Sequence, residues 1–217
     1  LGVAQGDRVA TLCWNHREHL EAYLAVPSMG AVVHTLNLRL HPHELGYIAN
    51  HAEDKVVIVD QSLLPLFEKF RGDIKSLRHV VVVPDMGKPV PEGTIDYDKL
   101  LADTPASFAW PKLDENEAAM LCYTSGTTGN PKGVLYSHRS TVLHAIMAAL
   151  PGHIGSNVDD VMLPVVPMFH AAAWGMPYIS VISGARLVFP GPHLDAASLV
   201  TLMQEERVTV AAGVPTI

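Results

Sequence analysis

Short runs of β-branched and aliphatic residues recur along this chain, separated by segments with helical spacing or turn residues. They include Asp7–Trp14 (DRVATLCW), Val32–Leu36, Lys55–Asp60 (KVVIVD) and His79–Pro84 (HVVVVP). In the second half come Ala118–Tyr123, Ala185–Phe189 and Val208–Ala212. Continuous apolar runs bounded by turns read as strands buried on both faces, the pattern of a parallel sheet. The intervening segments predict helices. Arg17–Ala31 places Leu20, Tyr23, Leu24 and Val26 on one face and meets Pro27 near its end. A helix from His41 to about Ala52 carries Pro42 in its first turn, where proline is tolerated. Ser62–Phe70, Ser137–Leu150 (Ser137 as N-cap), Trp174–Ile182 (stopped by Gly184) and Ala196–Glu206 (capped by Asp195) complete the set. Gly133–Tyr136 reads as a short return strand, Val161–Val166 as strand or loop because Pro164 interrupts it, and Asp85–Gly93 as a surface loop. Alternating strands and helices imply an α/β fold with a mainly parallel sheet over residues 1–217.

Composition narrows the class further. At 48% hydrophobic and 17% charged residues the chain is globular rather than disordered. Its formal net charge of −7, with no clustering of the basic residues, argues against a nucleic-acid-binding surface. No apolar run reaches the length of a membrane span, and no signal peptide opens the sequence. Cys13 and Cys122 make no disulfide framework, so a reducing cytoplasmic compartment is expected. The sequence starts at Leu1 and stops at Ile217 straight after an apolar run and a Val-Pro-Thr turn. It therefore reads as part of a larger domain.

Chemistry concentrates in Tyr123-Thr124-Ser125-Gly126-Thr127-Thr128-Gly129-Asn130-Pro131-Lys132-Gly133. Hydroxyls at Thr124, Ser125, Thr127 and Thr128, and backbone N–H groups at Gly126 and Gly129, are donors that phosphate oxygens accept. Lys132 adds a point charge suited to a polyphosphate. A strand before the loop and a return strand after it place it at the end of a sheet, where ligands gather. The string is not a Walker A motif, because Pro131 rather than glycine precedes the lysine, and no dinucleotide fingerprint follows a strand elsewhere. The paired histidines His16/His19 and His41/His43 lack acidic or cysteine partners at ligand spacing along the sequence and read as surface or capping residues rather than metal ligands.

This string resembles the signature loop of the adenylate-forming enzymes, the superfamily of acyl-CoA synthetases, luciferases and peptide-synthetase adenylation domains. The likeness extends to Pro167-Met168-Phe169-His170 with Ala171-Ala172-Ala173-Trp174-Gly175, to Gly213-Val214-Pro215-Thr216, and to Met29-Gly30-Ala31 with Asn37-Leu38-Arg39. Within the superfamily, VVPMFHAAAWGMPY followed by GARLVFPGP is most similar to medium- and long-chain fatty acyl-CoA synthetases.

The resemblance implies the N-terminal portion of an enzyme that condenses a fatty acid with ATP, releases pyrophosphate, and passes the acyl group to coenzyme A. By the same resemblance, Thr124 to Lys132, through Ser125, Gly126, Thr127, Thr128 and Gly129, hold the β- and γ-phosphates, and Thr124 lies near Mg2+. His170 sits beside the adenylate, where a neutral imidazole can donate to a carboxylate or phosphate oxygen. The backbone at Ala171 lies against the nucleotide, and Trp174 gates the acyl tunnel; Val165, Val166, Met168, Met176, Ile179 and Val181 suit either tunnel or core. Relatives that dimerise through this region imply a homodimer. Absent from these residues are the family's magnesium-binding glutamate, ribose-binding aspartate and C-terminal catalytic lysine, so this stretch alone is expected to be inactive. Two alternatives remain: a ligase for a short, aryl or sulfur-containing acid, and a non-catalytic nucleotide-binding relic.

Overall fold

A computed structural model describes residues 1–124 and 130–214. β1 (Arg8–Leu12), α1 (Arg17–Ser28), β2 (Val32–Thr35), α2 (Pro42–His51), β3 (Asp54–Asp60), α3 (Leu64–Phe67), β4 (His79–Val83), β5 (Ile95–Asp96) and α4 (Tyr97–Ala102) form the first half. β6 (Ala118–Thr124) and β7 (Lys132–Ser137) follow as an antiparallel pair, then α5 (His138–Ala149), β8 (Val161–Pro164), α6 (Met176–Ser183), β9 (Arg186–Leu187), α7 (Ala196–Glu205) and β10 (Val210–Ala212). Seven strands make one sheet in the order β5-β4-β3-β1-β2-β6-β7, parallel except for β7. A second, parallel sheet has the order β10-β8-β9. The expected α/β class is therefore observed, and the second small sheet is an addition to it.

Alternation along the strands explains why the runs are apolar throughout. Val56 and Ile58 face one core with Ala22, Tyr23 and Val26 of α1 and Ile179 of α6. Val57 and Val59 face the opposite core with Leu45 and Ile48 of α2 and with Phe67 and Phe70. Both faces of the large sheet are covered, so neither residue parity is polar.

The structure corrects several boundaries. Ser62–Phe70 is not one helix: a 3-10 turn at Gln61–Leu63 leads into the single turn of α3. Pro65 in that turn lacks the N–H that would carry a longer helix. Trp174 and Gly175 lie before α6, not inside it. Val161–Pro164 is a strand, with Pro164 at its end. β5 and α4 carried no strong period in the sequence; Asp96 caps α4 by accepting from Lys99 N. The caps expected at Ser137 and Asp195 and the stop at Gly184 are present.

His19 illustrates how the core constrains protonation. It is buried, with Nε2 on Thr11 Oγ1 and Nδ1 on Trp14 O, both at 2.9 Å. Burial, reinforced by His16, pushes its pKa down to about 4. The unfolded chain, with an ordinary imidazole, binds this proton at about pH 6.5. Between those values the unfolded state holds more protons, so His19 contributes stability above about pH 6.5 that is lost as pH falls toward about 4. Urea midpoints measured across that window should fall with acidification, and His19→Gln should flatten part of the slope; an unchanged slope contradicts the assignment.

Candidate functional site

In the β6–β7 hairpin Tyr123 stands opposite Gly133 and Thr124 opposite Lys132. Thr124 and Lys132 are both exposed at the carboxyl end of the large sheet. Ser125, Gly126, Thr127, Thr128 and Gly129 lie outside the described residues, as do Pro215 and Thr216. The two ends of the hydroxyl loop are thus fixed in register, and Lys132 projects from the same end as Thr124.

The His170 segment reaches this edge from β8. Asn15, buried between β1 and α1, donates through Nδ2 to Pro164 O (2.8 Å) and Val166 O (2.9 Å) and accepts from Met168 N (2.8 Å). Tyr23 Oη donates to Met168 O, and Thr35 Oγ1 donates to Phe169 O at 3.3 Å. Thr35 Oγ1 also meets Cys122 Sγ of β6 at 3.4 Å. One hydroxyl therefore ties the residue before His170 to the strand that delivers Thr124. His170 itself and Ala171 are exposed.

After His170 the backbone turns left-handed. Ala171, Ala172, Ala173 and Trp174 have φ of 44°, 52°, 48° and 56°, and Gly175 has 78°. Each non-glycine residue there costs about 1–2 kcal/mol, so the turn survives only because its surroundings fix it. Ala173 N donates to His170 O at 3.0 Å, and His144 Nε2 of α5 meets Trp174 O at 3.0 Å. A methyl on Gly175 would come within 2.7 Å of the His144 ring. The turn leaves Trp174 47% exposed. It stands at the lip of a cavity of about 520 Å³ lined by Met120, Tyr136, His144, Ala172, Trp174 and Tyr178, among others.

Of the apolar residues that suited either tunnel or core, Val165, Val166, Met168, Met176 and Ile179 are core and Val181 is exposed. Besides the stretch from Ala171 to Tyr178, the cavity wall comes from β6, β7 and α5, whose Tyr136, Ser140, Thr141 and His144 no sequence signal marked. α5 was readable as a helix, but not the direction in which it faces: it buries Ala145 and leaves Val142, Leu143, Ile146 and Met147 exposed.

The paired histidines divide. His16 and His41 are N-caps, His41 within a capping box with Glu44, and His43 is exposed. His19 is a core residue rather than a surface one. The fold also supplies partners that sequence spacing did not show: Cys13, His16 and Asp60 bring ligand atoms within 4.8 Å of one another. Internal hydrogen bonds already account for them. Asp60 accepts from His16 Nε2 and Trp14 N, each at 2.8 Å, and Cys13 Sγ donates to Ile58 O at 3.5 Å. Burial, then the nearby Asp60, push the Cys13 thiol pKa well up; burial does the same at Cys122. Neither thiol is poised as a nucleophile.

Thr124 offers a hard hydroxyl oxygen of the kind Mg2+ accepts beside phosphates and water. Among the described residues, no His/Cys/Asp/Glu group that could hold an ion includes acidic neighbours of Thr124.

The exposed Thr124 and Lys132 at the carboxyl end of a parallel sheet, the clamped segment before His170 and an apolar cavity stand together in an α/β domain. The chain belongs to the AMP-binding enzyme family, whose model matches residues 1–217. It is 53% identical over its whole length to a long-chain-fatty-acid–CoA ligase of Thermus thermophilus, covering 39% of that protein. It is 50% identical over its whole length to a 3-methylmercaptopropionyl-CoA ligase of Ruegeria pomeroyi, covering 41% of that protein. Among solved structures, an anthranilate CoA ligase in complex with anthranoyl-AMP superposes with a TM-score of 0.88 at 26% identity, over 99% of this chain and 41% of that one. The chain thus spans about two-fifths of the length of these relatives. No helix among the described residues is long and apolar enough to cross a membrane.

Gly175→Ala should lower stability by about 1–2 kcal/mol, because alanine strains the left-handed backbone and its methyl displaces the His144 ring. Urea unfolding checks this, with Trp174 emission read in a Trp14→Phe, Trp110→Phe background; unchanged stability and emission would show that the turn relaxes freely.

Proposed function

We propose that this chain is the N-terminal part of an AMP-forming acid–thiol ligase that activates a medium- or long-chain fatty acid and transfers it to coenzyme A in the cytoplasm. The observation that carries the reading is the cavity beside Trp174, which opens next to the exposed His170 and lies on the strand that delivers Thr124. A fatty acid in it would leave its carboxylate outside, facing the hydroxyl loop. The chemical difficulty is charge, since an anionic acid must approach a polyanion. Thr124, Ser125, Gly126, Thr127, Thr128, Gly129 and Lys132 would hold the β- and γ-phosphates of ATP and stabilise the leaving pyrophosphate. His170 would donate a hydrogen bond to the acyl carboxylate or the α-phosphate, and Ala171 would lay its backbone along the nucleotide. Mg2+ held by Thr124 and the phosphates would supply further neutralisation. Trp174 would close or open the cavity.

A shorter sulfur-containing acid is the second reading, favoured by the name of the Ruegeria pomeroyi relative. The exposed apolar face of α5 would be covered by further domain structure in a ligase of the relatives' length. By itself the 217-residue chain should therefore bind MgATP weakly and catalyse no exchange.

Acid-dependent ATP–pyrophosphate exchange by the full-length protein, run with octanoate, palmitate and 3-methylthiopropionate, tests the substrate class. The fatty acids should give the higher kcat/KM. A preference for 3-methylthiopropionate would transfer the assignment to the second reading, and no exchange with any of the three acids would contradict both. Lys132→Ala should raise the KM for MgATP by about tenfold or more, the scale of one lost charge-assisted contact.

A further inference from the structure

Phe169 is the last residue before His170, and its carbonyl belongs to the peptide unit that carries His170. A peptide unit is planar, so the direction of that C=O fixes where the next Cα stands and how its side chain leaves. Among the described residues, the donor that meets Phe169 O is Thr35 Oγ1, at 3.3 Å. Asn15 and Tyr23 act one residue earlier, on the N–H and C=O of Met168. Thr35 therefore makes the final bond before the exposed imidazole.

Thr35 does not act alone. It ends β2, and its neighbour across the β2–β6 ladder is Cys122. Their side chains meet at 3.4 Å. With the Thr35 proton given to Phe169 O, the Cys122 thiol is the donor to Thr35 Oγ1. Cys122 also reaches the far side of His170. Burial pushes its pKa up, while the Thr35 hydroxyl and the Ala172 N–H act in the other direction, so the Ala172 amide lies near the sulfur. The pair thus brackets His170, with Thr35 on the carbonyl before it and Cys122 by the amide two residues after it. Both residues are buried, and neither is among those that line the cavity beside Trp174.

We infer that Thr35 is a positioning residue for His170, acting through the Phe169 carbonyl and braced by Cys122. This rests on the reading of His170 as the donor to the acyl carboxylate or the α-phosphate. Valine has the branched shape of threonine without its hydroxyl. Thr35→Val therefore leaves the carbonyl of a buried residue unpartnered and the Phe169–His170 peptide free to turn. Misaiming a group that acts on the reacting atoms lowers kcat rather than ground-state binding.

The experiment measures acid-dependent pyrophosphate exchange and thermal melting in the full-length wild type, Thr35→Val, Thr35→Ser, His170→Ala and the Thr35→Val, His170→Ala double variant. Isotopically labelled histidine rings are followed by NMR, and the His170 resonance is the one that His170→Ala removes. Thr35→Val should lower kcat about tenfold, the scale of one buried hydrogen bond left unmade, with both KM values within about twofold. Thr35→Ser, which keeps the hydroxyl, should stay within about twofold of the wild type. In the His170→Ala background Thr35→Val should cost nothing further, because it acts through a ring that is gone. The His170 resonance should move in Thr35→Val and return in Thr35→Ser. Where His170→Ala slows exchange, an unchanged kcat in Thr35→Val, an equal loss in the double variant, no rescue by serine, or a loss confined to melting temperature would each overturn the inference. If the wild type shows no exchange, or His170→Ala exchanges as fast as the wild type, the catalytic reading of His170 fails. The resonance then decides alone: movement in Thr35→Val with recovery in Thr35→Ser upholds the placement of the ring by Thr35, and an unmoved resonance overturns it.

Discussion

The amide of Asn15 holds this structure together. The passage from β8 to His170 is buried, and its backbone N–H and C=O groups must find partners away from water. A carboxamide carries both donors and an acceptor on one short side chain, and Asn15 uses them on Pro164, Val166 and Met168 together. That single residue joins the start of α1, on the seven-stranded sheet, to the end of the three-stranded one. With Tyr23 and Thr35 adding bonds to Met168 and Phe169, the chain emerges at His170 already aimed. The left-handed turn that follows is affordable because both of its ends are determined elsewhere.

The same clamp decides which part of the sheet is open. In doubly wound sheets ligands favour the crevice where neighbouring strands send their connections in opposite directions, here between β1 and β3. That crevice is filled by the Asp60 carboxylate, bonded to Trp14 N and His16, and is crossed by the bridge from Asn15 to Gly191. The exposed chemistry stands instead at the end of β6, where Thr124 and Lys132 project, and along the His170–Trp174 turn beside it. Thr35 connects the two through Cys122 and Phe169, so a nucleotide on the loop and an acid in the cavity would share one rigid base.

Much of this was legible beforehand. Runs such as KVVIVD are apolar because both faces of their strands are covered, and that alone indicated a parallel sheet. Ser137, Asp195 and Gly184 marked helix ends through local hydrogen bonding and backbone conformation, which are sequence-near effects. The loop from Tyr123 to Gly133 was recognisable because its chemistry lies in consecutive residues. What stayed hidden depends on long-range contact. Asn15 and the segment it clamps are about 150 residues apart. The Ala171–Trp174 turn defies its composition, since alanine and tryptophan ordinarily favour right-handed helix, and only the clamp and His144 make it tolerable. The apolar run before His170 suited a tunnel or a core equally, and contacts distant in sequence make it core. Part of the cavity wall is α5, whose outward face no periodicity revealed.

The account depends on the phosphates and the acyl chain occupying two adjoining places. The most direct measurement is a crystal structure of the full-length protein with a non-hydrolysable acyl-adenylate mimic. The account predicts the group that replaces the α-phosphate within hydrogen-bond reach of His170, with the loop between Thr124 and Lys132 left for the departed pyrophosphate, and the acyl chain in the cavity bordered by Trp174, Tyr136 and His144. An adenylate lodged over Asp60 and His16 between β1 and β3, or an acyl chain lying outside that cavity, would contradict it.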